Sequence, residues 1–234
     1  MSWWGDQRVL VVMPHADDET FGCGGTLARV KAEGGEVFVV VAAVGELRHY
    51  DPEHPRVTGD QRAQEFRDAM EVLGVDDFEV LFNDPNRHMR LDAVPRLELV
   101  RWIESEGRLS IDRVRPTVLI LPAVSYNQDH EAVFKAGFAA CRPHLPSVKP
   151  FVRVVLAADA PQLAWNHTPF HPNFYVDITG YLDRKLRAHA CHRSQLRPPP
   201  HHASLEHLER LARLRGSEVA VEAAEAFYCY RYVV

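Results

Sequence analysis

The sequence predicts an α/β protein of Rossmann-like architecture, with an open, mostly parallel sheet that carries helices on both faces. Short runs of β-branched and other apolar residues recur along the chain, and segments with helical spacing of apolar residues separate them. Parallel neighbouring strands need crossover connections, and helices between the strands supply them. No linker composition, repeat or low-complexity tract divides the chain. We therefore expect a single domain over residues 1–234, with a core over about 8–157 that elements in 158–234 complete.

The elements of this core alternate in order. Apolar runs such as RVLVVM are typical of strands covered on both faces, and each is followed by a segment with apolar residues three and four positions apart. The predicted pairs are strand 8–13 with helix 22–34, strand 37–44 with helix 61–73, strand 78–82 with helix 93–106, and strand 116–121 with helix 129–142. The rest of the chain predicts a strand over 151–157, a loop over 158–172, helices over about 180–192 and 205–215, and a strand over 227–233.

Composition narrows the class of protein. The 234 residues are 46% hydrophobic, enough to bury a sizeable core, and the formal net charge of -5 offers no basic field for nucleic acid. The longest apolar runs fall short of the roughly 20 residues that cross a bilayer, and residues 1–6 lack a signal-peptide pattern. The 4 cysteines are scattered, which favours reduced thiols over a disulfide framework. We expect a cytoplasmic protein with no nucleic-acid partner and no integral membrane segment.

A first chemically distinctive loop follows strand 8–13. The segment PHADDE places His15 beside the acids Asp17, Asp18 and Glu19. Ligands bind at the carboxyl ends of the strands in open α/β sheets. Adjacent acids repel one another unless a cation or the N-terminus of the next helix offsets their charge, and His15 with Asp18 is a workable pair of zinc ligands. Taken alone, this turn is explained by a divalent cation or by helix stabilisation.

A second loop, SYNQDH, follows strand 116–121 and again places acid, amide and imidazole at the carboxyl end of an apolar run. If the first strands have the common order 3-2-1-4, both loops open into one crevice. His15, Asp18 and His130 then converge. Two imidazoles and one carboxylate leave one position of a tetrahedral zinc site for water, which is the catalytic pattern.

Asp17 lies between the two candidate ligands of the first loop. A carboxylate beside a metal-activated water is placed to remove its proton as general base and to return it to a leaving amine. The alternative interpretation of Asp17 is helix capping.

These residues carry a resemblance to a known family. The segments PHADDE-x-x-GCGGT, Arg62-x-x-Glu65, the Asn-Gln-Asp-His loop and His192-x-Ser194-Gln195 together resemble the LmbE/PIG-L family of zinc-dependent de-N-acetylases. The likeness extends in register from about residue 8 to 227. It implies that His15, Asp18 and His130 are metal ligands and Asp17 the general base.

The resemblance also implies an activity, a cofactor and a partner. Members of the family hydrolyse the acetamide of N-acetylglucosaminyl compounds, which implies one Zn²⁺ per chain and a small-molecule amino-sugar substrate. Another divalent metal stays open, as do the identity of the N-acyl substrate and the oligomeric state, although homo-oligomers are common for such folds.

Two residues depart from the family pattern. Ala16 stands where the family usually has proline, and Asn127 stands where many members have a histidine thought to stabilise the oxyanion or to protonate the amine. An amide donates a hydrogen bond to an oxyanion but does not shuttle a proton near neutral pH. We therefore expect Asp17 to act as both base and acid. Asp129 and Glu19 are expected to support the metal-binding side chains by hydrogen bonds.

Substrate contacts are harder to read from the sequence. Arg62 is a candidate ligand for a sugar hydroxyl, and a surface ion pair with Glu65 is the alternative. Tyr126 and Trp165 are candidates for the mouth of the pocket, since aromatic rings stack on sugar faces. The loops at 45–60, 83–92 and 158–173 are expected to set specificity. The role of His192 stays open, and the expected positions of His201, His202 and His207 are solvated ones.

Two other classes of function remain as alternatives. A non-catalytic relative would use the same crevice for binding, and Asn127 favours that hypothesis. A dinucleotide-binding oxidoreductase is suggested by the run Gly22-Cys23-Gly24-Gly25. The glycine spacing does not match G-x-G-x-x-G directly after a strand, and three acids occupy the turn that would bind phosphate.

Overall fold

The computed structural model describes residues 2–47, 56–82, 84, 86–160, 166 and 169–234. The strands are β1 Arg8–Met13, β2 Glu36–Ala43, β3 Asp77–Phe82, β4 Val118–Pro122, β5 Val154–Ala158, β6 Phe174–Asp177 and β7 Ala224–Tyr232. The α-helices are α1 Asp18–Ala32, α2 Gly59–Leu73, α3 Arg96–Arg101, α4 Ile111–Val114, α5 Gln128–Ala140, α6 Leu182–Ala190 and α7 Leu205–Ser217. None of the helices in this part of the chain has the length and apolar composition that a membrane span requires.

All of these strands form one sheet with the order β3-β2-β1-β4-β5-β7-β6. The first five pair in parallel, and β7 runs antiparallel to β5 and β6. Val9 on β1 lies opposite Val37 on β2 and Val118 on β4. The mostly parallel α/β fold is therefore confirmed, and the first strands have the 3-2-1-4 order on which the meeting of the two loops depends. Because of this strand order, the carboxyl ends of β1 and β4 lie side by side.

The core has a layer on each face of the sheet because side chains alternate along every strand. Val9 and Val11 of β1 face a cluster that includes Leu27 of α1. Leu10 and Val12 face the opposite cluster, which includes Ala136 of α5. Helices thus cover both faces, as the apolar runs of the central strands predict.

Several boundaries differ from the predicted ones. The helix α1 begins at Asp18 rather than at residue 22, so the acidic turn is itself the start of the helix. The predicted helix 93–106 is a 3-10 turn at Leu91–Ala93, then α3, then a π-helical turn at Trp102–Glu106. Pro95 separates the first two because proline has no backbone N–H to donate. The short elements β6 and α4 were not predicted, since neither has a periodic pattern long enough to recognise.

The glycine-rich run lies inside α1 and has a packing role. The backbone N–H groups of Gly25 and Thr26 donate to the carboxylate of Glu225 on β7, at 2.8 and 2.6 Å. A Cβ on Gly25 would come within 2.7 Å of the Ile178 side chain. Lys185 of α6 donates to the Phe21 carbonyl at 2.5 Å and pairs with Glu225. These glycines admit close packing and form no phosphate-binding turn, so the dinucleotide hypothesis is wrong.

The Lys185–Glu225 pair joins α1, α6 and β7 inside the protein, with side-chain exposures of 2% and 4%. We expect Lys185→Met to lower the free energy of unfolding by about 3–5 kcal/mol, because it leaves the Glu225 carboxylate buried without its cation. Arg187→Met is the matched control on the same helix. It breaks an exposed pair with Asp183 and should cost no more than about 1 kcal/mol. Urea unfolding of both variants checks this, and equal losses would contradict it.

Candidate metal centre

The candidate site lies where β1 and β4 end. His15 follows β1, Asp18 is the first residue of α1, and His130 is in the first turn of α5. All three line a cavity of about 590 Å³ that opens at this edge of the sheet. The parallel pairing of β1 with β4 is therefore what brings together residues that are far apart in the sequence.

One carboxylate oxygen is the centre of this cluster. Asp18 Oδ2 lies 3.5 Å from Nδ1 of His15 and 3.3 Å from Nε2 of His130. It also accepts the backbone N–H of His15 at 3.1 Å. One ligand atom from each of the three residues lies within 4.8 Å of the others. Among the described residues, this is the one group of acids, histidines and cysteines close enough to bind a metal ion.

The residues fit a divalent cation. Both imidazoles are buried, yet their distances to Asp18 are longer than those of good hydrogen bonds. His130 Nδ1 is buried and finds no hydrogen-bond partner among the described residues. Two histidines and one carboxylate are a donor set that zinc accepts, with a fourth position left for substrate or water. The cluster therefore has the composition of a catalytic rather than a structural metal site.

The charges of the cluster point the same way. Burial opposes the ionised form of Asp18, but the imidazoles of His130 and His15 outweigh it and hold the pKa of this carboxyl below its usual range. Burial also opposes protonation of His15, but Asp129 and Asp18 raise its pKa to about 9. Acids thus surround His15. A divalent cation bound here would balance their negative charge in place of the proton on the His15 imidazole.

Asp129 supports the cluster from behind. Its side chain is fully buried, with Oδ2 2.9 Å from His15 Nε2, and its Oδ1 accepts the backbone N–H of Leu91 at 2.8 Å. A proton on Nε2 directs the Nδ1 lone pair of His15 towards Asp18 and the cavity. Asp129 lies where the sequence predicts a supporting partner, and this role stays a prediction.

Asp17 adopts an unusual backbone conformation beside the cluster. Its φ is 133°, a region that residues with a side chain rarely adopt, so the local backbone is strained. Its side chain lines the cavity and makes no capping hydrogen bond to α1, so the capping interpretation is wrong. Burial and the neighbouring charge of Asp18 raise its pKa to about 6. In this backbone conformation the Asp17 carboxylate faces the cavity rather than the N-terminus of α1.

The turn that contains Asp17 is fixed by Glu19 and His192. Glu19 Oε2 accepts the Asp17 N–H at 3.0 Å, and Glu19 Oε1 lies 2.8 Å from His192 Nε2. Glu19 and His192 are 0% and 1% exposed, so the pair is desolvated. Burial opposes the cationic form of His192, but Glu19 outweighs it and raises the pKa. His192, whose role the sequence leaves open, therefore positions the acidic turn through Glu19.

Arg62 is buried, at 2% exposure, and its guanidinium joins two loops. It lies 2.6 Å from His88 Nε2 and donates to the Ala16 carbonyl at 3.2 Å. Glu65 instead accepts the N–H of Ser194 at 3.0 Å, so the alternative prediction of a surface ion pair between Arg62 and Glu65 is wrong. Burial and the Arg62 charge lower the pKa of His88 to about 3. Arg62 also lines the cavity, where a substrate contact stays a prediction.

Asn127 caps the helix that carries His130. Its Oδ1 accepts the Asp129 N–H at 2.9 Å, which leaves the amide NH₂ group as its available donor. Asn127 lines the cavity, and so does Tyr126, a residue that is 53% exposed at the rim. Both residues lie where the sequence predicts active-site groups.

The structure adds cavity residues that sequence reasoning missed. They are His88, His189, Gln195, Arg197, His201 and His202. His201 is exposed, as expected of a solvated position, but it borders the cavity with the half-buried His202. The His192-x-Ser194-Gln195 motif was a signal that this part of the chain approaches the site. The predictions for Trp165 and for residues 48–55 lie outside the described residues.

Comparisons with known proteins relate this chain to a family of deacetylases. Residues 10–141 match the PIG-L family, described as GlcNAc-PI de-N-acetylase. A 1D-myo-inositol 2-acetamido-2-deoxy-alpha-D-glucopyranoside deacetylase of Thermomonospora curvata is 36% identical, over 82% of this chain and 81% of the relative. A diacetylchitobiose deacetylase of Thermococcus kodakarensis is 28% identical, over 81% and 70%. Among solved structures, the conserved protein TT1542 of Thermus thermophilus aligns with a TM-score of 0.73 and 28% identity, over 97% of this chain and 96% of that one.

We expect Asp18→Ala to abolish tight metal binding, because it removes the atom that both imidazoles face. Asp129→Asn should weaken metal affinity by about 10–100-fold, the usual effect of losing a partner that orients a ligand. Calorimetric titration of chelator-treated protein with Zn²⁺, together with elemental analysis, measures both effects. Asp112→Asn, at an exposed position of α4, is the control. Wild-type affinity in Asp18→Ala would contradict the assignment of this cluster as a metal site.

Proposed function

Because this chain belongs to the PIG-L family of de-N-acetylases, we propose that it hydrolyses the acetamide of an N-acetylglucosamine-containing compound or a related N-acyl amino sugar. The products are acetate and a free amine. The convergence of His15, Asp18 and His130 on one cavity, with the Asp17 carboxylate beside them, is the observation that carries the proposal.

Zinc is the cation that we propose for this site, one per chain, with His15, Asp18 and His130 as its ligands. Imidazole nitrogen suits zinc, and a single carboxylate completes a three-residue set with an open fourth position. When bound, the cation would polarise the acyl carbonyl of the substrate and lower the pKa of a water molecule. Other divalent first-row metals also accept this donor set, and metal analysis of purified protein distinguishes them.

Asp17 is the general base and acid of the proposed reaction. Its carboxylate faces the cavity without a capping bond, and its raised pKa of about 6 is that of a group able to accept and return a proton near neutral pH. It takes a proton from the attacking water and delivers it to the nitrogen of the amine as the C–N bond breaks. The Glu19–His192 pair positions this carboxylate and does not touch the substrate.

Asn127 supplies a hydrogen-bond donor for the oxygen of the tetrahedral intermediate. Since its Oδ1 is engaged by the helix N-terminus, its NH₂ group is oriented by the same bond that caps α5. A neutral amide can stabilise this oxygen, whereas proton transfer to the amine remains with Asp17. We propose substrate contacts for Arg62 and Tyr126 at the wall and rim of the cavity.

We also propose that the enzyme acts on its amino sugar in the cytoplasm. All 4 cysteines are free, which suits a reducing compartment.

Replacing Asp17 with Asn tests the base. We expect kcat for acetate release from N-acetylglucosamine compounds to fall by about 10²–10⁴-fold, because the amide cannot accept the proton. The metal content and the unfolding midpoint should remain those of the wild type, since the side chain makes no capping bond. Asp112→Asn is the control for the substitution itself. Unchanged acetate release in Asp17→Asn would favour a different base, and no release by the metal-loaded wild type would favour a non-catalytic relative.

Two substitutions of Asn127 separate its capping role from its donor role. Asn127→Asp keeps an oxygen that caps α5 but removes the amide donor, so kcat should fall by about 10²–10³-fold while stability is retained. Asn127→Ala loses both and should in addition lower the free energy of unfolding by about 1 kcal/mol. Steady-state kinetics and urea unfolding check the two variants. A wild-type kcat in Asn127→Asp would exclude the proposed donor.

A further inference from the structure

A second cavity of about 760 Å³ lies directly beside the first. We call it the aromatic cavity, because its walls include Tyr126, Phe170, Tyr228 and Tyr230. Ser125 and Tyr126 line both cavities. They immediately precede Asn127, so the aromatic cavity begins at the loop that carries the proposed oxyanion donor. Anything attached to a sugar in the catalytic cavity can extend over this shared rim.

The aromatic rings of this cavity are held in place rather than scattered. Tyr228 and Tyr230 project from the same side of β7, and their ring centroids are 4.7 Å apart. Tyr230 packs against Phe134 and Phe138 of α5, at 5.4 and 5.1 Å. Even so, Tyr228 and Tyr230 remain 38% and 44% exposed. A contiguous exposed aromatic surface costs free energy in water and marks a binding site more often than an ordinary surface does.

The charge of the aromatic cavity differs from that of the catalytic cavity. Among the described residues that line it, the ionisable groups besides tyrosine are Glu131 and His171. Glu131 is paired with Lys135 on α5. Arg62 and Arg197 line the catalytic cavity, whereas none of the described lining residues of the aromatic cavity is a lysine or arginine.

Arg215 lies 5.9 Å from the centroid of the Phe170 ring, but its guanidinium is paired with Asp159 and Glu218. The described lining residues therefore offer no lysine or arginine to a phosphate or a carboxylate, which favours a neutral group.

We propose that the aromatic cavity binds a second, neutral sugar ring joined by a glycosidic bond to the amino sugar that is deacetylated. The apolar C–H faces of a pyranose stack on aromatic rings, and Ser125, Glu131 and His171 supply polar partners at the edge for its hydroxyl groups. This inference rests on the proposed function and narrows its substrate class. The chain acts on neutral glycosides at least two rings long in preference to single sugars or to glycosides of an acid.

The test compares three substrates by acetate release from the zinc-loaded enzyme. They are N-acetylglucosamine, its neutral β-linked disaccharide N,N'-diacetylchitobiose, and an N-acetylglucosaminide of malate. We expect kcat/KM to be about tenfold or more higher for the disaccharide than for either of the others. In Tyr228→Ala and Tyr230→Ala the ratio of disaccharide to monosaccharide should fall about threefold to tenfold, the usual range for one lost ring contact.

Tyr232→Ala is the matched control. This tyrosine lies on the same strand and is 49% exposed, but it does not line the aromatic cavity. Its removal should leave the substrate ratio at the wild-type value. All three variants are of exposed side chains, so circular dichroism and the unfolding midpoint should report folded protein.

Three kinetic outcomes would overturn the inference: equal kcat/KM for disaccharide and monosaccharide in the wild type, preference for the malate glycoside, or an equal fall of the ratio in Tyr232→Ala. A loss of oligomeric state in Tyr230→Ala, measured by light scattering, would assign the aromatic surface to contact between copies of the chain and also overturn it. Failure of the proposed function is recognised separately, as the absence of acetate from every substrate. In that case the disaccharide is titrated into the protein by calorimetry. Binding to the wild type that is lost in Tyr230→Ala still supports the subsite, and the absence of binding to the wild type overturns it.

Discussion

The parallel pairing of β1 with β4 is the constraint on which the site depends. It places the turn after β1 beside the first turn of α5, so that the Asp18 carboxylate lies between two imidazoles from distant parts of the sequence. A cation at this point would satisfy charges that the fold concentrates there. Because backbone pairing at the centre of the sheet determines the position of both loops, a shift of either strand would separate the proposed ligands.

Buried ionic contacts stabilise the acidic turn from the side away from the cavity. His192 pairs with Glu19, and Arg62 donates to the carbonyl of Ala16 within the turn itself. Desolvated charges of this kind are costly unless each has a partner, and His192, which follows α6, supplies the partner of Glu19. The strained backbone of Asp17 persists because these contacts over-determine it. The same arrangement leaves Asp17 as the proposed proton carrier, with a raised pKa.

The family relationship and the particular residues of this chain contribute different information. Membership of the PIG-L family is consistent with the metal-binding pattern, while the contacts of Asn127 and of the tyrosines of β7 are known only from the structure of this chain. Asn127 combines the capping of α5 with a single remaining donor group, and in the proposed reaction this would separate oxyanion stabilisation from proton transfer. The aromatic cavity lies next to Asn127 and has no lysine or arginine among its described lining residues. This composition favours a neutral group joined to the amino sugar. The proposed oxyanion donor and the proposed sugar subsite thus lie at one loop.

The sequence by itself determined the strand–helix alternation and the two loops that carry the candidate ligands, whereas the pairing of β1 with β4 in the structure showed that these loops meet. Hydrophobic periodicity is local, and a parallel sheet brings the carboxyl ends of its strands to one edge. Only the tertiary structure decided what supports the site. Glu19 and His192 lie 173 positions apart, and the His192-x-Ser194-Gln195 motif indicates that this segment approaches the site without indicating which residue His192 contacts. Likewise, Asp17 could be assigned to a cap or to a base from its position alone, and its backbone conformation excluded the cap. Long-range contacts of this kind depend on how helices pack on the sheet, which single-residue patterns do not encode.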